Sequence, residues 1–135
     1  MTERDAELFL AQLLRKEAAQ VGRQVRLGGK IVDLIVDWPS DEPGGGDIET
    51  IEVKLHDWRR AAKQAYASTA YVGRASIALP ANARRRVDEA YLRELGVGLI
   101  EFDGAGWWRV ISPADQREVD PETLEHVRSG IAGQC

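Results

Sequence analysis

Cysteine is nearly missing from this 135-residue sequence: the single one is Cys135, the last residue. One thiol excludes an internal disulfide framework and a multi-cysteine zinc site, and it fits a reducing cytoplasm. Long apolar runs are missing too. No stretch of 18 apolar residues is present to span a bilayer, and because Met1 leads straight into acidic, helix-forming sequence, no secretory leader is expected. A surplus of positive charge is also absent: the net charge is -4, which argues against a protein that coats nucleic acid indiscriminately.

What remains is the balance of an ordinary globule, 44% hydrophobic and 30% charged, with enough length for one real core. The expected division is a single domain over residues 1–112 followed by a short acidic tail, 113–135. Charge is unevenly spread. Between Lys54 and Arg86 stand eight basic residues (Lys54, Arg59, Arg60, Lys63, Arg74, Arg84, Arg85, Arg86) and one acid, Asp57, so that segment carries +7 and the rest -11. A local basic surface on an acidic body favours focused binding of a polyanion.

Thr2 is placed to cap a helix from Glu3, and Leu10, Leu13, Leu14, Ala18 and Val21 keep helical spacing to about Val21, where Gly22 ends it. Gln24 to Leu27 alternates as a short strand, and Gly28-Gly29 turns the chain. Ile31-Val32-Asp33-Leu34-Ile35-Val36 then reads as a central strand of β-branched type. A Pro- and Gly-rich loop from Pro39 to Asp47 leads to a third strand, Ile48 to Leu55. Asp57 caps a helix to about Thr69 with a small-residue stripe, Trp58, Ala61, Ala62 and Ala65. Ala75 to Leu79 is a fourth strand, Asn82 to Leu95 an Arg-rich helix closed by Gly96, and Val97 to Phe102 and Trp107 to Ile111 are the last two strands. The segment after Pro113 reads as a short, acidic, loosely attached helix. This order predicts an α/β fold: a mixed β-sheet flanked by helices on both faces, with an αβββαβ core and an added αββ extension.

Chemistry concentrates on two strands. Asp33 interrupts an apolar run, and Glu52-Val53-Lys54 follows on the next strand. Strand side chains alternate, so Glu52 and Lys54 point the same way, ~7 Å apart, while Val53 turns inward. If the strands pair, Asp33 joins them. Unpaired carboxylates on a covered sheet face are costly, and a divalent cation is a common remedy. Magnesium takes hard oxygen ligands and keeps several waters, so Asp33, Glu52 and the Val53 carbonyl suffice as a site. Phosphodiester cleavage requires a hydroxide near phosphorus and positive charge against the developing oxyanions; the metal supplies both, and Lys54 would steer or deprotonate water.

Asp33, the Glu52-Val53-Lys54 triplet, the preceding helix and the Asp57-capped helix together resemble the PD-(D/E)XK nuclease superfamily, the restriction-endonuclease-like fold. The resemblance covers roughly Glu3 to Leu79. It implies that Asp33 and Glu52 bind magnesium or manganese, that Lys54 assists catalysis, and that DNA is the substrate. It further matches Glu7 to an acidic residue that the family often carries on its first helix near the metal, and Gln64 to a polar residue on the second. Val32 stands where a Pro would complete the family's name. Ser68 stands where a RecB-like branch would have tyrosine.

Plainer readings stand beside these. Glu52 and Lys54 are also what a solvated strand face looks like, Glu7 also suits the positive end of a helix, and Gln64 also suits an ordinary helix surface. Arg59, Arg60 and Lys63 lie on the helix that begins just after Lys54 and are expected to contact DNA, whereas Arg84-Arg85-Arg86 reads first as a solvated helix face, with phosphate contact as the alternative. His56 fits a strand end, and Trp107 and Trp108 fit core and edge packing. The expected activity is therefore metal-dependent hydrolysis of DNA, by a protein that dimerises or works within a larger DNA-processing assembly. The alternatives are a nuclease-fold module that only binds DNA or a protein partner, and a purely structural interaction domain.

Overall fold

The computed structural model describes residues 1–18, 20–39 and 47–132, and of Arg84 and Ala132 the backbone alone. The expected loop at Pro39 to Asp47 lies mostly outside the described residues. Six strands form one mixed sheet in the order of the sequence. They are β1 (Gln20–Leu27), β2 (Lys30–Trp38), β3 (Asp47–Val53), β4 (Arg74–Pro80), β5 (Gly98–Asp103) and β6 (Trp107–Ser112). β1 to β3 run antiparallel, β3 to β5 parallel, and β6 returns antiparallel on β5. The α-helices among the described residues are α1 (Glu3–Leu14), α2 (Trp58–Ser68), α3 (Glu89–Leu95) and α4 (Pro121–Ala132).

α1 starts on a reciprocal cap: the Thr2 hydroxyl accepts from the Asp5 amide and the Asp5 carboxylate accepts from the Thr2 amide, each at 3.1 Å. It then lays Ala6, Leu10 and Leu14 on one sheet face, against Leu34, Val36, Ile51, Val53 and Phe102. The opposite face is covered by α2 and α3, whose Ala61, Ala62, Ala65 and Leu92 pack on Ile77, Leu79 and Leu99. The alanines let α2 approach the sheet closely. α4 covers the hairpin end of that face, burying Val127 and Ile131 against Val25, Val32 and Ile35. The α/β sheet with helices on both faces is therefore as expected.

Three expectations are corrected. The first helix ends at Leu14, seven residues before the predicted Val21, and Val21 instead pairs with Val36 in β1. Val21 still packs with the α1 residues, so helical spacing and strand pairing both bury it there and only the β2 ladder decides between them. The Arg-rich helix is split into a 3-10 segment, Ala81–Arg86, and α3. Asp88 causes the break, because its carboxylate accepts from the amides of Ala90 and Tyr91 and so starts a new helix. The segment after Pro113 is not loose. The Asp115 amide donates to Gly96 O and the Arg117 amide to Gly73 O, the Arg117 guanidinium donates to Leu95 O at 2.6 Å, and Ile131 is fully buried.

Candidate active site

The β2–β3 ladder ends at the pair Leu34–Ile51. One step further the same register sets Asp33 opposite Glu52, and there the strands no longer exchange backbone bonds. Instead Asp33 Oδ2 accepts from the Val53 amide at 2.9 Å, so the carboxylate takes the place a β2 carbonyl would occupy. Glu52 is buried and hydrogen-bonds to Asp33. Burial, then the charge and hydrogen bond of Asp33, push the Glu52 carboxyl up to about 8, while the charges of Lys54 and Lys30 pull it the other way. Glu52 thus keeps its proton at neutral pH. Lys54 follows directly on β3; its amide donates to Ala78 O at 3.1 Å, and its ammonium lies 3.6 Å from the Glu3 carboxylate. A cavity of about 480 Å³ opens over Asp33 and Val53, with Glu7, Arg23 and Gln24 on its wall.

Glu7 is buried on α1, facing this cavity. Arg23 donates to one of its oxygens at 2.6 Å and the Gln24 amide to the other. The same Gln24 nitrogen lies 3.3 Å from Asp33 Oδ1, so Glu7 reaches the carboxyl pair through Gln24. Gln64 approaches from the opposite side: its backbone carbonyl accepts from Lys30 Nζ at 3.1 Å, and its side-chain oxygen is buried with no hydrogen-bond partner. Arg59, Arg60 and Lys63 are exposed along α2, with the Arg59 guanidinium 4.8 Å over the Trp58 ring. No hydrogen bond or ion pair joins them to the carboxyl pair among the described residues.

The sequence reading missed Gln24, Arg23 and Lys30. Gln24 has φ 51°, a left-handed conformation that costs a non-glycine residue of order 1 kcal/mol or more, in the middle of a strand. That turn of the backbone aims its amide at both carboxylates. Nothing in the local pattern signals it, since Gln24 follows a glycine and a charged residue like any edge-strand position. Lys30 stands just before the apolar run, and its proximity to Glu52 depends on the sheet. No group of three or more His, Cys, Asp or Glu side chains is arranged to hold a metal among the described residues.

No protein-family model matches the chain, and no curated protein matches it either. Among solved structures, SPO1766, a protein of unknown function from Silicibacter pomeroyi, superposes with a TM-score of 0.70 at 19% identity, covering 92% of this chain and 79% of that one. That likeness shows the fold. EndoMS, in its complex with double-stranded DNA, overlaps at a TM-score of 0.47 and 20% identity, over 76% of this chain and 46% of the other. SfsA of Pyrococcus furiosus, in complex with Ca2+, overlaps at 0.41 and 13% identity, over 82% and 61%. At those two scores the superpositions define neither fold nor chemistry. No helix among the described residues is long and apolar enough to cross a membrane.

Proposed function

We propose that the chain hydrolyses phosphodiester bonds in DNA with the help of magnesium or manganese, as a nuclease of the PD-(D/E)XK type. The observation that carries this reading is the Asp33–Glu52 pair: two carboxyls hydrogen-bonded across neighbouring strands, with Glu52 buried and two lysine charges acting on it. The donor set fits a hard dication. Its ligands would be oxygens of Asp33 and Glu52 and the carbonyl of Val53, whose amide already faces Asp33. A bound dication would supply an acidified water and charge against the phosphate oxyanions.

The chain's own groups do the rest. Glu7 and Gln24 orient Asp33. Lys54 is freed from Glu3 when a phosphate arrives, and its ammonium donates to a phosphate oxygen or positions the attacking water. Gln64, with its unpaired side-chain oxygen, would accept a hydrogen bond from that water. Arg59, Arg60 and Lys63 hold the flanking phosphates. The test is cleavage of linear, branched, flapped and single-stranded DNA with manganese, comparing wild type with Lys54→Ala. Loss of a proton-transfer group lowers rates by ~10²–10⁴-fold, and equal cleavage by both proteins would remove the assignment.

One observation favours a silent module that binds DNA without cutting it: Lys54 is paired with Glu3, and both Glu7 oxygens are taken by Arg23 and Gln24. DNA affinity in chelator that is unchanged by Asp33→Ala, together with no cleavage on any substrate, would select that reading.

A further inference from the structure

We infer that a second cavity, immediately beyond Lys54, is a binding site for one unpaired nucleotide of the strand whose phosphate lies at Asp33 and Glu52. The inference rests on the phosphodiester reading and extends it to the adjoining residue of the substrate.

The cavity measures about 560 Å³, in the range of small-ligand sites. Its apolar floor is Leu55, Pro80 and Phe102, at the carboxyl ends of β3, β4 and β5. In open sheets, those ends leave a crevice in which ligands bind. His56, Asn82 and Arg86 stand on the rim, exposed, and none of the three makes a side-chain hydrogen bond or ion pair with any described residue. Unspent donors and acceptors around an apolar floor are what a planar base with a polar edge requires. The Asn82 amide offers both a donor and an acceptor to that edge, and Arg86 and His56 can take sugar and phosphate oxygens.

Two further facts narrow the ligand. Asp103 is also on the rim, its carboxylate accepting from the Ala105 amide. An acid there disfavours a bare polyphosphate and suits an exocyclic amine. Position does the rest: Val53 lines the first cavity and Leu55 the second, so Lys54 is the single residue between them. Two strand residues span ~7 Å, a distance one nucleotide bridges.

The test is binding of fluorescent single-stranded oligonucleotides in EDTA, where metal-dependent hydrolysis cannot consume them, with one abasic nucleotide moved along the strand. Wild type should lose about tenfold in affinity when the abasic unit occupies one position, and Asn82→Ala and Arg86→Ala should lose most of that position dependence. Both substitutions are at exposed side chains and leave the core intact. A flat abasic scan in wild type, no measurable binding, or the same scan in the variants overturns the inference. A flat scan combined with tight binding of a free deoxynucleoside monophosphate also overturns it, assigning the cavity to a soluble nucleotide. Cleavage lost in Lys54→Ala reports separately on the phosphodiester reading, so either can fail alone.

Discussion

A carboxyl that is buried beside a second acid makes Glu52 the most informative single residue. Its folded value of about 8 lies above its ordinary 4.5, so the folded chain binds the extra proton across that window. The stability that Glu52 contributes therefore falls as pH rises from about 4.5 to about 8. In chelator, the urea midpoint of wild type should drop between pH 5 and pH 8 more steeply than that of Glu52→Gln, which keeps the hydrogen bond and cannot ionise. A wild-type profile no steeper than the variant's would show that Glu52 does not hold the proton. Magnesium or manganese at pH 8 should raise the wild-type midpoint, since a ligand that binds only the folded state stabilises by mass action. At this scale the sequence was partly legible. Asp33 stood out because it interrupts an apolar run, and Glu52 and Lys54 because they share one face of the strand that follows, whereas Gln24 and Lys30 carried no such signal and were found only through the partners they touch.

Elements were legible where local and tertiary demands agree. α2 follows its predicted span because the Asp57 cap and the alanine stripe specify the same helix that β3 and β4 need as a crossover. α1 and the Arg-rich segment were not, because apolar spacing at Ala18 and Val21 serves either a helix or a strand, and because Asp88 caps a helix within a run that otherwise continues. α4 shows the same limit from the other direction. Its sequence is acidic and weakly apolar, yet Val127 and Ile131 are buried on the face of the β1–β2 hairpin. Ile131→Ala should cost ~2–5 kcal/mol of folding stability, as for other buried large-to-small changes, measured by urea unfolding. A decrease below ~0.5 kcal/mol, typical of surface sites, would mean that α4 is the loose tail its composition suggests.

Over the whole molecule, an acidic chain gathers a local excess of positive charge between Lys54 and Arg86, on and around the helix that leaves the site. DNA affinity should therefore fall linearly in log–log terms as salt rises. Replacing Arg59, Arg60 and Lys63 by alanine should flatten that slope by ~0.7–0.9 for each phosphate that is no longer neutralised. A slope unchanged in the triple variant would move the DNA path to another surface. By itself the sequence determined the α/β class, the strands that carry the acids and the asymmetry of charge, because periodicity and composition are local properties. Only the tertiary structure decided that Asp33 caps the end of the β2–β3 ladder, that Gln24 joins Glu7 to it, and that two cavities flank Lys54. Each of these depends on register and on the meeting of segments far apart in the chain, which no window of sequence contains.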